Sequence, residues 1–108
     1  MFTDGMLLRV YLSEAAQIDG EPAYKHLMEF YRKMGFPGCT VYKGIVGYGH
    51  EKQVKMFDVY HMAVEVPVVV DIVHEKEKIQ EILPQVEALV EHGLVITQPV
   101  RMSRKTPP

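Results

Sequence analysis

The hydrophobic and polar positions of this chain repeat with two different periods. Four short runs are rich in branched and aromatic side chains, which is typical of β-strands, and two longer stretches carry apolar residues at helical spacing. The pattern predicts strands at residues 6–12, 39–49, 67–73 and 94–98, and helices at residues 22–34 and 75–91. This order predicts an α+β domain with the ferredoxin-like βαββαβ fold. Two right-handed crossovers then place both helices on one face of a four-stranded antiparallel sheet.

Glycine and proline residues mark several boundaries in this pattern. Gly35 follows the first predicted helix and Gly93 follows the second, as expected of helix ends. Pro84 lies inside the second helix, so we expect that helix to be kinked or split there. Residues 67–73 are almost continuous in valine and isoleucine, which favours a central strand. Pro99 suits a strand at the edge of the sheet, because it has no N–H to donate to a neighbour.

Large apolar side chains occupy both faces of the predicted sheet. Side chains alternate between the faces of a strand, yet residues 6–12 and 67–73 carry apolar groups at odd and at even positions. Two helices can cover only one face, so we expect copies of the chain to bury the other face in a symmetric oligomer. Arg9 and Asp71 should lie close together on that open face. The pair is either a simple ion pair or a functional one.

Length and composition fit one globular domain over residues 1–108, with a flexible tail at 103–108. The chain is 47% hydrophobic and 24% charged, and its formal net charge of −2 gives no electrostatic case for nucleic acid. Cys39 is the sole cysteine, so an internal disulfide is excluded, which fits a reducing compartment. Residues 1–10 lack the pattern of a signal peptide, so we expect none, and no stretch reaches the roughly 20 apolar residues of a membrane helix. We therefore expect a cytoplasmic protein without membrane insertion.

Four stretches of the chain carry a resemblance to a known family. They are MLLRVYLSE, GCTVYKGIVGYG, VPVVVDIV and ILPQVEALVEHGLVI. The most specific feature is the joint occurrence of K-G-I-x-G-[FY]-G and the P-V-V-V run. Together they resemble the PII-like proteins catalogued as domain of unknown function 190, which are similar to the nitrogen-regulatory PII proteins and to the CutA divalent-cation-tolerance proteins. Those relatives are trimers whose sheets face the threefold axis. The resemblance therefore implies a non-enzymatic signalling protein and a homotrimer, and it names no cofactor or ligand.

The glycines at the end of the second predicted strand are the first candidate for a ligand site. Glycine lets backbone N–H groups approach an anion closely, and the basic residues that follow add positive charge. In PII proteins a similar Gly-x-Gly begins the loop that meets nucleotide, and basic residues lie near the end of the chain. The predicted ligand-binding residues are Gly47, Gly49, His50, Lys52, Lys55 and Arg101. The alternative is a glycine-permitted turn or bulge at a subunit contact.

One departure from PII proteins bears on the ligand. PII proteins hold phosphates with a glycine-rich loop after the second helix, whereas this sequence has only His92-Gly93 there. Conventional ATP binding is therefore in doubt, although another small anion stays compatible with the sequence.

Residues 51–66 are the second candidate, because they exceed what a hairpin in a minimal ferredoxin-like domain needs. In PII proteins the matching loop carries the partner-binding surface, so the resemblance implies a protein partner there. A ligand would then act by ordering or releasing this loop. The alternative is that residues 54–62 extend the flanking strands as a longer hairpin.

Metal binding and catalysis have less support. None of the five histidines pairs at the H-x₃-H spacing of a helical metal site, although His74 near Glu75 and Glu77 could contribute at a subunit seam. The pattern offers no nucleophile with a base and no paired catalytic carboxylates, so we expect no enzyme activity. The leading hypothesis is a PII-like regulator that binds a small ligand, a nucleotide or another anion, in clefts between subunits. The alternatives are a CutA-like divalent-metal binder and a purely structural oligomer.

Overall fold

The computed structural model describes residues 1–48 and 66–105, together with the backbone of residues 55–56. Within those residues it contains two helices and eight strands. In chain order these are β1 (Thr3–Ser13), β2 (Gln17–Ile18), β3 (Glu21–Pro22), α1 (Ala23–Lys33), β4 (Thr40–Lys43), β5 (Val46–Gly47), β6 (Lys55–Met56), β7 (Pro67–His74), α2 (Lys76–Leu89) and β8 (Leu94–Met102).

Four of the strands form the main sheet, in the order β4-β7-β1-β8, and every pair in it is antiparallel. The two longest pairings both involve β1, which faces β7 on one side and β8 on the other. The predicted α+β fold with a four-stranded antiparallel sheet and two helices is confirmed. β7 lies inside the sheet and β8 at its edge, as the valine run and Pro99 predicted.

One core lies between the sheet and the helices. Both helices contribute their buried residues to the same cluster, so both cover the same face of the sheet. The central strands send alternate residues into this cluster, which is the two-residue period expected of a strand. The fully or nearly fully buried members are Leu8, Val10, Leu12, Ala23, Leu27, Tyr31, Val68, Val70, Ile72, Ile79, Ile82 and Val86.

The second predicted strand is broken in the structure, where the sequence suggested one strand over residues 39–49. β4 pairs with β7 only as far as Lys43, and the N–H of Gly44 then donates to the carbonyl of Pro67 at 2.7 Å. Because Pro67 opens β7 and has no N–H to offer, the ladder cannot continue past it. The chain leaves the main sheet there, and β5 pairs with β6 in a separate two-stranded ribbon. At these residues the ribbon agrees with a hairpin extension.

The connection between β1 and α1 has ordered structure of its own. Residues 17–22 form a small hairpin, β2 with β3, whose turn holds Asp19 at φ 51° and Gly20 at φ 81°. Two positive φ values in succession are typical of the tight turn that Asp-Gly favours. Pro22 belongs to β3 and precedes α1, rather than lying in its first turn.

Pro84 does not split helix α2. A split was one of the two outcomes that the sequence predicted, the other being a kink. The helix is continuous from Lys76 to Leu89. Pro84 has no N–H to donate to the carbonyl of Gln80. Both residues are exposed, so water can hydrate that carbonyl instead. Neither of the two helices in the described part of the chain is long and apolar enough to cross a membrane.

The last strand extends to Met102, four residues beyond its predicted end. It pairs with β1 over the whole length from Leu94 to Met102. The tail predicted at residues 103–108 therefore starts beside the sheet, and Nη2 of Arg104 donates to the carbonyl of Val73 at 3.0 Å. Residues 106–108 lie outside the described part.

Gly93 offers a direct test of this packing. A Cβ at residue 93 would lie 2.4 Å from the carbonyl oxygen of Tyr11, and a backbone atom of a central strand cannot move aside cheaply. We expect Gly93→Ala to lower the free energy of unfolding by about 1–3 kcal/mol, the usual cost of overpacking. Urea unfolding at fixed protein concentration measures this difference.

Gly38→Ala is the matched control, because a Cβ at residue 38 would meet no atom within 4 Å. Equal stability of the two variants would contradict the close approach of Gly93 to β1.

Candidate functional site

The face of the main sheet away from the helices stays uncovered in the single chain. Its central strands present Leu7, Arg9 and Tyr11 from β1, and Val69, Asp71 and Val73 from β7. Several large apolar side chains on this open face are substantially exposed: Tyr11 37%, Val73 38%, Tyr42 43% and Leu94 56%. The predicted excess of apolar groups on one face is confirmed for the described chain.

Three polar side chains form a hydrogen-bonded network in the middle of this open face. Arg9 and Asp71 are direct neighbours in the pairing of β1 with β7. The guanidinium donates twice to the carboxylate, from Nε to Oδ1 at 2.9 Å and from Nη2 to Oδ2 at 2.8 Å. The hydroxyl of Tyr42 donates to Oδ2 of Asp71 at 2.7 Å and accepts from Nη2 of Arg9 at 3.1 Å. We call these three residues the sheet-face network.

The network shifts the ionisation of its members. Burial alone would raise the pKa of Asp71, but the hydrogen bonds from Arg9 and Tyr42 outweigh it and hold that pKa below its ordinary value. The hydrogen bond to Asp71 raises the pKa of Tyr42, because it stabilises the protonated hydroxyl. It also raises the pKa of Arg9. The network therefore stays a neutral combination of one cation, one anion and one hydroxyl at neutral pH.

A cleft of about 470 Å³ opens beside this network. Its volume is in the range of small-molecule sites. Its lining comes from β1, from β4 and the residues before it, from the end of β7, and from the end of β8 and the segment after it. The lining residues are Leu7, Gly38, Cys39, Thr40, Tyr42, Asp71, Ile72, Val73, Met102, Ser103 and Arg104. Tyr42 and Asp71 therefore belong both to the sheet-face network and to the cleft.

The chemistry of the cleft is an apolar floor with polar groups at its rim. Leu7 and Val73 supply apolar surface, while Thr40 and Ser103 supply hydroxyls. Arg104 is held by its bond to the carbonyl of Val73, which fixes a positive charge at one end. Such a surface suits a flat, partly apolar molecule with an anionic group.

Cys39 lines the cleft but is a poor nucleophile. It is half-buried, and burial together with the negative charge of Asp71 raises the pKa of its thiol. A raised pKa leaves little thiolate at neutral pH. Cys39 also packs against the core cluster, so it is better described as a packing residue than as a catalytic one.

The predicted ligand residues fall into three groups. Gly47 in β5 pairs with Lys55 in β6, so the structure brings the backbones of these two together. A Cβ on Gly47 would lie 2.6 Å from Cγ of Pro67, which gives this glycine a packing role. Gly49, His50 and Lys52 lie outside the described residues, as does most of the predicted partner loop.

Arg101 lies far from the ribbon within one chain. It pairs with Asp4 in the register of β1 with β8, and its Nε is 3.4 Å from Oδ1 of that residue. Gly47 instead contacts Pro67, which is opposite Ser13 at the other end of β1. At about 3.3 Å per residue, Asp4 and Ser13 are roughly 30 Å apart along the strand. A single chain therefore cannot gather Gly47 and Arg101 around one small ligand.

The histidines give little support for a metal site. Among residues 1–48 and 66–105, no three His, Cys, Asp or Glu side chains are grouped as a metal ion would require. His74 lies with its ring edge-on to Phe36, at a centroid distance of 5.4 Å. Its Nδ1 is enclosed without a hydrogen-bond partner in the described structure, so its surroundings are aromatic rather than those of a ligand cluster.

The comparisons with known proteins agree with the fold. Residues 5–102 match the model of the family DUF190, described as "Uncharacterized ACR, COG1993". The chain belongs to the DUF190 family. A relative from Methanocaldococcus jannaschii, a "UPF0166 protein", is 40% identical over 91 residues, which is 83% of each chain. A UPF0166 protein from Aquifex aeolicus is 34% identical over 96 residues, covering 89% of this chain and 90% of its own.

Solved structures extend the likeness of this DUF190 chain at the level of fold. CPII from Thiomonas intermedia K12, in a structure bound to ADP and bicarbonate, superposes with a TM-score of 0.66 at 15% identity, over 96% of this chain and 93% of CPII. CutA1 from Oryza sativa superposes with a TM-score of 0.57 at 12% identity, over 95% of this chain and 84% of its own. The resemblance to PII-like and CutA proteins is therefore confirmed.

The cleft was not predicted from the sequence. The position of Arg9 beside Asp71 was predicted correctly, but Tyr42 was not among the predicted site residues. The spacing along β4 could have identified Tyr42. Thr40 lies opposite Asp71, and Tyr42 is two residues further along the strand, on the same face. The segment after β8 could not be placed, since its contact with Val73 depends on how far the last strand runs.

The ionisation of Asp71 makes stability depend on pH. Since its pKa is lower in the folded chain than in the unfolded one, its stabilisation is complete above the unfolded value and is lost as the pH falls through the folded value. We expect Asp71→Asn to be less stable than the parent chain at pH 7, with the difference shrinking below about pH 4. Urea unfolding of both chains across this range measures the difference.

Asp4→Asn is the control, because its carboxylate is 91% exposed and only loosely paired. A stability difference for Asp71→Asn that does not change between neutral and acidic pH would contradict the coupling of Asp71 to Arg9 and Tyr42.

Proposed function

We propose that this protein is a non-enzymatic PII-like regulator that assembles from copies of itself and binds a small ligand at clefts between them. The observation that carries this proposal is the cleft of about 470 Å³ beside the open sheet face, with the guanidinium of Arg104 at its rim. The ligand class is a nucleotide or another anion. CPII, whose fold is similar, has been solved bound to ADP and bicarbonate, which makes ADP the first molecule to test.

The spacing of the predicted ligand residues supports a site shared between copies. Gly47 and Lys55 are near one end of the sheet, and Arg101 is about 30 Å away at the other. A ribbon from one copy would have to approach the end of β8 of another for all of them to serve one ligand. Gly49, His50 and Lys52 follow Gly47 in sequence and would add backbone N–H groups and positive charge.

The exposed apolar groups on the open face support self-association. Burial of apolar surface is favourable by about 25 cal/mol per Å², and Tyr11, Tyr42, Val73 and Leu94 all retain substantial exposed area in the single chain. We propose that the assembly is a homotrimer. Residues 51–66 remain the proposed surface for a protein partner.

Arg104 provides the test of the ligand site. We expect ADP to bind the assembled protein, and Arg104→Ala to weaken that binding at least tenfold, because a hydrogen bond to a charged group contributes about 1.5–3 kcal/mol. Isothermal titration calorimetry measures the affinity, and the rise in Tm with ADP gives an independent estimate.

Lys105→Ala is the matched control, since Lys105 is exposed and does not line the cleft. If neither ADP nor bicarbonate binds the parent chain at millimolar concentration, the proposed ligand class is wrong. If ADP binds Arg104→Ala as tightly as the parent, the ligand is held elsewhere.

A further inference from the structure

The cleft contains a negative group as well as the positive charge of Arg104. The side chain of Asp71 is on the open face, lines the cleft and keeps 15% of its surface exposed. Burial would raise the pKa of this carboxyl, but the hydrogen bonds from Arg9 and Tyr42 hold it below its ordinary value, so Asp71 is an anion at neutral pH. A ligand in the cleft therefore meets one carboxylate and one guanidinium.

The hydrogen bonds around Asp71 leave room for one more donor. A carboxylate has about four acceptor sites, shared equally between its two oxygens. Within the described chain, Oδ2 accepts from Nη2 of Arg9 and from the hydroxyl of Tyr42, whereas Oδ1 accepts only from Nε of Arg9. One acceptor site on Oδ1 is therefore left for a donor outside the network.

The other groups at this end of the cleft do not change its preference for a donor. Tyr42 gives its one hydroxyl proton to Asp71, so it cannot also donate to a ligand. Arg9 balances the charge of the carboxylate but does not line the cleft. Thr40, opposite Asp71 in the pairing of β4 with β7, adds a hydroxyl that can donate or accept. A carbonyl or an anionic group placed against Oδ1 would face a carboxylate oxygen with no proton between them, which is unfavourable.

The positive group lies a short distance along the same strand. Nη2 of Arg104 donates to the carbonyl of Val73, which is two residues from Asp71 in β7, or roughly 7 Å. Leu7, opposite Val73 in the pairing of β1 with β7, also lines the cleft. A ligand that meets both charged groups therefore carries its donor and its anionic group at opposite ends of an apolar part.

We propose that Asp71 determines which ligand the cleft accepts: a flat molecule with an amino group at one end, bound to Oδ1 of Asp71, and an anionic group at the other, bound to Arg104. The proposal rests on the ligand site proposed above and adds the orientation of the ligand and the group that is selected. A molecule that lacks the amino group leaves the acceptor site of Asp71 unpaired, and one with a second anionic group in its place is repelled.

A pair of nucleotides that differ at one group tests this selection on the parent chain alone. ADP carries the exocyclic amino group of adenine, and purine riboside 5′-diphosphate lacks only that group. We expect the second nucleotide to bind about tenfold more weakly in isothermal titration calorimetry, because one hydrogen bond to a charged group is lost. This comparison needs no variant, so it stands even if a substitution at Asp71 prevents folding.

Three variants then assign the preference to one residue. Asp71→Asn should bind the two nucleotides with nearly equal affinity, since a neutral amide is a weaker acceptor and Arg9 already bonds to its oxygen. Arg104→Ala should weaken both nucleotides by the same factor and keep their ratio, because the phosphate end is the same in each. Asp19→Asn is the matched control: it removes an equal charge outside the cleft, and asparagine tolerates the φ of 51° at that turn. Its ratio should equal that of the parent.

The outcomes separate this inference from the proposed function. If neither nucleotide binds the parent chain at millimolar concentration, both are overturned. If the parent binds the two nucleotides equally, the ligand site stands and the role of Asp71 is overturned. A preference for ADP that persists unchanged in Asp71→Asn also overturns it, because the amino group is then bound by another residue.

Discussion

The pairing of β1 with both of its neighbours is the constraint on which the rest of this structure depends. β1 contacts β7 along one side and β8 along the other, so its alternation decides what each face of the sheet carries. Leu8, Val10 and Leu12 lie under the helices and are buried, which obliges the residues between them to face the other way. A shift of one residue in this register would send Arg9 into the core and expose Leu8. The position of the charged pair on the open face is therefore a consequence of how the core is built.

The same register places three polar side chains next to one another on the open face. Arg9 lies directly opposite Asp71, and β4 adds Tyr42 from the far side of β7. Because three strands that are distant in sequence supply these three residues, their hydrogen bonds form only when the whole sheet is in place. The presence of this network therefore requires that the strands of the sheet are correctly paired.

Most of the fold was predictable from the sequence because the relevant signals are local. The valine run of β7, the helical spacing over 23–33 and the glycine at residue 35 each predict their element without knowledge of the others. The break between β4 and β5 was not predictable in the same way. It arises because Gly44 meets Pro67, a contact between residues far apart in sequence whose partner cannot be known before the register is set.

The candidate site was less predictable than the fold for the same reason. Gly47 was predicted to bind a ligand because it is a glycine near basic residues. In the structure, its lack of a Cβ lets it approach Pro67. Arg104 was not among the predicted ligand-binding residues, although it lines the cleft and donates a hydrogen bond to the carbonyl of Val73 in β7. A glycine or an arginine can serve packing or binding equally well, and only the tertiary neighbours of each residue decide between them.

Tyr42 and Asp71 connect the cleft with the open face, because both residues line the one and form the network on the other. A molecule in the cleft that moves the ring of Tyr42 must change a hydrogen bond to Asp71, and through Asp71 the charge balance of Arg9. By linkage, whatever such a molecule does to the contact between copies, the contact does equally to the affinity for that molecule. If the protein binds a ligand and self-associates as proposed, the two properties would share the same few hydrogen bonds, so we expect a substitution in the network to alter both even without ligand, whereas Arg104→Ala should alter assembly only when ligand is present.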